Sequence, residues 1–204
     1  MKKIGYLGGT FDPIHIGHLM LAEWALDAVD LEEIWIITTG QSYMKTEHNV
    51  LPAAERLHMA ELAVAGNDRL KCLDIEVRRQ GNTYTYETLE EMKIRYPDTD
   101  FYFIQGADCL FALDSWKYPG RILNSCTVLT AVRGDTDLNL LESKRRELLD
   151  KYNGNIVLMP FMQLSMSSSE IRERVRAGKS IRYMVPDRVL DYIEKKGFYC
   201  EETR

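Results

Sequence analysis

With 204 residues, 45% hydrophobic and 28% charged, the chain is long enough for one substantial core without covalent staples and too apolar for wholesale disorder. Its net charge of -5 gives no support for a generic nucleic-acid or anionic-membrane surface, so any affinity for anions must be local. The four cysteines, Cys72, Cys109, Cys126 and Cys200, form no CxxC pair, have no histidine at zinc-ligand spacing and read as reduced thiols. No leader pattern and no apolar run of about 18 residues is found, so a cytosolic protein that does not enter the membrane is expected.

The apolar run 4–7 predicts a first strand, and it leads directly into GGTFDPIHIGH, residues 8–18. Gly8 and Gly9 let the backbone approach a bulky anion, while the amides opening the next helix present unpaired donors and a positive dipole end to it. His15 and His18, with Gly17 between them, add two imidazoles able to donate to phosphate oxygens. The string is neither GxGxxG nor a lysine-bearing P-loop, which excludes both of those phosphate sites.

Residues 19–29 keep apolar positions at helical spacing and predict a largely buried helix, and 34–38 is a β-branched run expected of a strand covered on both faces. A polar loop follows at 39–51, on the ligand side of a parallel sheet. Pro52 opens a helix to Val64, residues 70–77 predict a strand, 78–83 a polar loop, and 86–96 a helix stopped by Pro97. A buried strand at 101–105 runs into Gly106, Ala107 and Asp108, and short helical pieces broken at Pro119 and Gly120 reach 124. Strands at 126–132 and 155–159 flank a helix at 138–152, whose Lys144, Arg145 and Arg146 read as a solvated face. From Ser167 onward the chain is helical twice, punctuated by Gly178 and Pro186. Strands alternating with helices imply an α/β fold: a doubly wound, Rossmann-like parallel sheet with helices on both faces. One domain over 1–204 is expected, with 165–204 as a small helical C-terminal segment.

A second informative string is SMSSSEIRERVR, residues 165–176. Ser167, Ser168 and Ser169 precede a helix whose early turn carries Arg172, so hydroxyls, free amides and a guanidinium meet at one positive helix end. Alone it reads more simply as a serine cap on an exposed charged helix; paired with the first string it makes two helix starts closing on one crevice, as a triphosphate requires.

The two strings carry a resemblance to the bacterial nicotinate mononucleotide adenylyltransferases of the HxGH nucleotidylyltransferase superfamily. Residues 8–18 match their GGTFDPxHxGH, and residues 166–174 are similar to their ISSTxIRxR. The segments Gly106-Ala107-Asp108 and Thr83-Tyr84-Thr85, the aromatic Trp116 with Lys117 and Tyr118, and the ending 183–199 also fit the family. One departure is the replacement of its Pro-Pro-His-Lys by Ser42-Tyr43-Met44-Lys45, which loses two stiffening prolines and keeps the lysine.

The resemblance implies transfer of AMP from ATP to nicotinate mononucleotide, giving nicotinate adenine dinucleotide and pyrophosphate in NAD biosynthesis. His15, His18, Lys45 and Arg172 would be catalytic. ATP would lie on Gly8, Gly9, Thr10, Phe11, Gly106, Asp108 and the three serines as well as the histidines and Arg172. The mononucleotide would meet Gly8, Thr39, Lys45, Thr85, Trp116, Lys117 and Tyr118. Asp108 could equally cap a helix beside Gly106, and Lys45 could be an ordinary exposed loop lysine. Mg2+ is expected to arrive with ATP, held by phosphates and water rather than by a carboxylate cage. Neither a nucleic-acid partner nor a membrane is expected, and the assembly would be a monomer or homodimer. A phosphopantetheine adenylyltransferase would be shorter and lack the Trp116 region. A class I aminoacyl-tRNA synthetase would need a far longer chain and a KMSKS loop, and a nucleotide-sensing module would have no need of both histidines.

Overall fold

The structure, a computed structural model, describes residues 1–42, 50–132, 134, 137–162 and 165–200. Eight strands are seen among them: β1 (Lys2–Gly9), β2 (Glu33–Thr38), β3 (Gln41–Ser42), β4 (Leu70–Leu73), β5 (Asn82–Thr83), β6 (Thr99–Gly106), β7 (Thr127–Val132) and β8 (Asn155–Pro160). Six of them form a parallel sheet in the order β4-β2-β1-β6-β7-β8. The chain winds outward one way from β1 to β4 and the other way from β6 to β8, so a crevice opens above the carboxyl ends of β1 and β6. The Rossmann-like α/β expectation holds.

Because both faces of this sheet are covered, its strands read as continuous apolar runs. In β2, Ile34 and Ile36 point into one core layer and Trp35 and Ile37 into the other. The first layer is closed by α1 (Ile16–Ala28), α2 (Ala53–Val64), α7 (Ser168–Arg176) and α8 (Asp187–Lys196). The second lies under α3 (Thr85–Arg95), α4 (Ala107–Ala112), α5 (Pro119–Ser125) and α6 (Leu138–Tyr152). A β-carbon on Gly5 of β1 would lie 2.8 Å from Ile34 and 2.9 Å from Ile104, so only glycine lets three strands pack at this density. Among the described residues no helix is long and apolar enough to cross a membrane.

Four local expectations change. The first helix begins at Ile16 and is half-covered: Ala22, Ala25 and Leu26 are buried, while Trp24 is 39% exposed and meets Phe161 edge-on. Its apolar residues occupy more than one side, so spacing alone overstated the buried face. The strand from Leu70 ends at Leu73, because the chain turns there to bury Glu76, which accepts from Tyr6 at 3.1 Å and Thr88 at 2.8 Å. The segments read as plain loops contain the β3–β5 ladder. The basic cluster of α6 is not simply solvated: Lys144 reaches Asp114 at 2.7 Å, and Arg145 and Arg146 pair with Glu142.

Ile36 is fully buried at the centre of the first layer. Ile36→Ala is expected to lower stability by about 2–5 kcal/mol, read from the urea midpoint at unchanged slope; no shift would mean that this layer is loosely packed.

Candidate active site

Beyond Gly9 the chain turns through Phe11, whose φ of 49° lies in the left-handed region, and enters α1 with His15 as its extended cap residue. Capping positions usually hold a short oxygen side chain that reaches forward to a free amide. Here the reach runs backward: the His15 backbone N–H donates to Nδ1 of His18 at 3.2 Å. A neutral imidazole accepts through one nitrogen and donates through the other, so this bond assigns the His18 proton to Nε2. The two rings stack with centroids 3.7 Å apart, and Phe11 stands edge-on to His18 at 5.0 Å. A β-carbon on Gly17 would come within 3.1 Å of the His15 ring, so the glycine between the histidines makes the stack possible. Burial lowers the pKa of His15 to about 4, and burial together with His15 lowers that of His18 to about 3. Both rings are therefore neutral at pH 7 in the ligand-free protein.

The second string closes onto the first. Ser167 caps α7, its hydroxyl accepting from the Glu170 amide at 3.1 Å. Ser168 donates its hydroxyl to the Pro13 carbonyl at 2.9 Å, and Arg172 donates Nη1 to the Asp12 carbonyl at 2.8 Å and Nη2 to the Ser169 hydroxyl at 3.2 Å. Two helix N-termini thus open on one cavity of about 410 Å³. Its polar wall holds Thr10, Asp12, His15, Gly17, His18, Ser167, Ser168, Ser169 and Arg172, with Gly106 and Asp108 from β6 and α4. Its apolar wall is Leu21, Ala131, Phe161 and Met166. One end suits a polyanion and the other a flat, uncharged ring system.

Nine residues expected to hold ATP line this cavity together: Thr10, His15, His18, Gly106, Asp108, the three serines and Arg172. Gly106 holds the cap position of α4 and Asp108 lies exposed in the first turn, so the capping alternative for Asp108 falls away. Gly8, Gly9 and Phe11 stand behind the wall: a β-carbon on Gly8 would meet the Tyr6 hydroxyl, one on Gly9 would meet the Phe11 ring, and Phe11 itself is buried. Asp12, Phe161 and Met166 were given no role from sequence. Phe161 follows the last strand, and its place at the carboxyl edge of the sheet was the available signal.

Of the residues expected to hold the second substrate, Thr85, Trp116, Lys117 and Tyr118 gather near Tyr84, Tyr86 and Phe103 on the other side of the sheet. Thr39 donates its amide to the Gly9 carbonyl at 2.9 Å, joining β2 to the phosphate turn. Thr85 opens α3, Trp116 is half-buried against Phe103, and Lys117 lies 4.0 Å over the Tyr84 ring. Tyr118, left-handed at φ 55°, is exposed and meets Tyr86 edge-on at 5.0 Å. Arg121 stacks on Tyr86 at 4.4 Å, its charge engaged by both oxygens of Glu90. Asp114, which Lys144, Tyr152 and Lys151 hold well below the usual carboxylate range, anchors the turn leading to Trp116. Lys45 lies outside the described residues. Among those residues no three His, Cys, Asp or Glu side chains converge as a metal cage.

Behind both groups, Arg56 of α2 is 3% exposed and spends its three kinds of nitrogen on three carbonyls, those of Leu51 at 2.8 Å, Thr10 at 2.6 Å and Gly40 at 3.0 Å. One guanidinium thus ties the phosphate turn to the loop after β2.

A Rossmann-like sheet with an HxGH turn at its switch point and a serine-capped helix closing over it defines a nucleotidyl-binding class, and the family model for cytidylyltransferase-like proteins matches residues 6–174. That span includes the first string and all but the last two residues of the second. A Lachnoclostridium phytofermentans protein named "Probable nicotinate-nucleotide adenylyltransferase" is 42% identical over 98% of this chain and 100% of its own. A Dehalococcoides mccartyi protein of the same name is 39% identical over 97% of both. The chain belongs to the nicotinate-nucleotide adenylyltransferase family. Among solved structures, Plasmodium falciparum nicotinic acid mononucleotide adenylyltransferase complexed with NaAD shares the fold, with a TM-score of 0.79, 23% identity and 98% of each chain covered.

Since the folded pKa values of His15 and His18 lie below the ordinary imidazole value, the unfolded chain binds more protons between about pH 6.5 and pH 3–4. The stability held above pH 6.5 is therefore lost as the pH falls through that window. The Tm of the ligand-free protein is expected to drop from pH 6.5 to 4, and His18→Gln to make the drop shallower; parallel curves for the two proteins would contradict the buried, neutral pair.

Proposed function

We propose that the protein is a nicotinate-nucleotide adenylyltransferase, in which the 5'-phosphate of nicotinate mononucleotide attacks the α-phosphorus of ATP and displaces pyrophosphate. What carries this reading is the joining of the two helix starts at one cavity, with the His18 Nε2 proton and the Arg172 end of α7 on the same polar wall. The nucleophile is already ionised at pH 7, so no base is needed to generate it, and catalysis reduces to in-line positioning and stabilisation of developing charge.

In this reading His18 donates to the α-phosphate as negative charge builds there, while His15 and Thr10 hold the neighbouring phosphate oxygens. Ser167, Ser168, Ser169, Arg172 and Lys45 hold the β and γ groups. Gly8, Gly9 and Phe11 shape the turn from behind, Gly106 lets the ribose approach, and Asp108 accepts from its hydroxyls. The apolar wall receives adenine. Mg2+ fits this donor set as an ion carried in by the triphosphate, and it would supply charge neutralisation to the leaving pyrophosphate. The whole assembly acts as one domain over 1–204.

Trp116 stacks on the cationic pyridine ring, gaining a cation–π term as well as contact area. That term cannot separate nicotinate from nicotinamide, since both rings carry the charge. Because Glu90 already occupies Arg121, discrimination falls to backbone amides near Tyr118 and Thr85, with Gly8, Thr39 and Lys117 completing the pocket. An amide NH2 facing those donors would be mismatched, costing about 1–3 kcal/mol, or roughly tenfold to a hundredfold in kcat/KM.

Pyrophosphate release from ATP, measured with each mononucleotide in turn, tests the reading. Turnover with nicotinate mononucleotide at the higher kcat/KM supports it, and a preference for the amide, or nucleotide binding without release, overturns it. His18→Ala is expected to lower kcat by about 10²-fold or more with little change in KM, because its bond strengthens only in the transition state. Arg172→Ala should instead raise the KM for ATP, and Trp116→Ala that for the mononucleotide.

A further inference from the structure

The proposed chemistry gives no part to Asp12, which belongs to the phosphate turn and lines the same cavity, nor to Tyr199, which bonds to it. Asp12 is 2% exposed, and its Oδ1 accepts the Tyr199 hydroxyl at 2.6 Å. Its Oδ2 has no hydrogen-bond partner, although Nη1 of Arg172 lies only 3.9 Å away. That nitrogen donates instead to the backbone carbonyl of Asp12, and Nε of Arg172 is likewise buried without a partner. A guanidinium therefore stands beside a carboxylate without forking onto it, though the two-point pair is the stronger arrangement between these groups.

The hydroxyl that occupies Asp12 comes from 187 residues further along the chain. Tyr199 follows α8 in a left-handed conformation, φ 64°, with its ring packed beside Phe198. Burial and the Asp12 carboxylate push the phenol far above its ordinary pKa, so it remains a donor throughout the working range. Arg56 cannot take its place, since its nitrogens are committed to the carbonyls of Leu51, Thr10 and Gly40.

We propose that Tyr199 is a positioning residue: by satisfying Asp12 it keeps Arg172 from collapsing onto that carboxylate and so leaves the guanidinium available to the triphosphate. The proposal rests on the adenylyltransferase reading only in taking the cavity as the ATP site. Without the hydroxyl, Asp12 keeps no side-chain donor and Arg172 is the group within reach to supply one. A fork between them would draw the arginine off the cavity wall. The loss then falls on ATP and not on the mononucleotide.

The test is ATP affinity by calorimetry on the full chain, beside steady-state pyrophosphate release, for the wild type, Tyr199→Phe, Asp12→Asn and the double variant. Tyr199→Phe is expected to weaken ATP binding and raise its KM about tenfold, leaving kcat and the mononucleotide KM within about twofold. With Asp12→Asn already present no carboxylate remains to capture Arg172, so adding Tyr199→Phe should change ATP affinity less than about twofold. The double variant buries no charge at position 12, so this second comparison stands even if the single phenylalanine variant folds poorly. Unchanged ATP affinity in Tyr199→Phe overturns the proposal. So does an equal loss in both backgrounds, or a loss shared by both substrates together with a lowered Tm, which would mark a purely structural tyrosine. A wild type that binds ATP but releases no pyrophosphate overturns the transferase reading instead, with the ATP affinities still deciding the role of Tyr199.

Discussion

The contact on which the site depends is the docking of α7 onto the turn before α1, made by Ser168 to the Pro13 carbonyl and Arg172 to the Asp12 carbonyl across more than 150 residues. Neither helix start is a site by itself. Each offers little alone: at α1 the Ile16 amide already donates to the Met184 carbonyl, at α7 the Glu170 amide donates to the Ser167 hydroxyl, and a helix end carries only about half a unit of positive charge. Brought together over the carboxyl ends of β1 and β6, they line one cavity of about 410 Å³ with polar groups from both sides. The sheet order makes this possible, because the chain reverses direction between those two strands and leaves the crevice open.

Within that crevice the two imidazoles are stacked and neutral, His15 buried and His18 half-buried. Two imidazoliums at that separation would repel each other, so an empty site carrying both charges would be costly. A neutral ring whose Nδ1 is already bonded to the backbone presents a fixed N–H donor without that cost. A second proton on His18 Nδ1 would face the His15 N–H, so the ring meets an anion as a neutral donor. The full cation at the mouth is Arg172, and the buried carboxylate next to it is held by a phenol rather than by the arginine.

Much of this was legible in the chain. The string 8–18 placed a strand end, a turn, a helix start and both histidines, since glycine, proline and capping chemistry act locally and do not depend on distant partners. The alternation of apolar runs and amphipathic stretches gave the parallel sheet for the same reason. What was not legible depends on side chains meeting across the fold. The early end of β4 follows from Glu76 being received by Tyr6 and Thr88. Arg121 lies near Tyr118 through the packing of α5, and Lys144 is held by Asp114 through the approach of α6 to the turn before Trp116. Tyr199 carries no local signal of its bond to Asp12. Trp24 shows the converse error, in which apolar spacing implies burial and the sheet contacts only the small residues beside it.

The central claim is that the cavity between the starts of α1 and α7 holds a triphosphate with its α-phosphate at His18. A crystal structure of the protein with an ATP analogue that cannot be cleaved at the α–β linkage measures this directly. The account predicts an α-phosphate oxygen within hydrogen-bonding distance of His18 Nε2, and the β and γ groups against serines 167–169 and Arg172. A nucleotide bound elsewhere, or bound in the cavity with its phosphates directed away from α7, would contradict it.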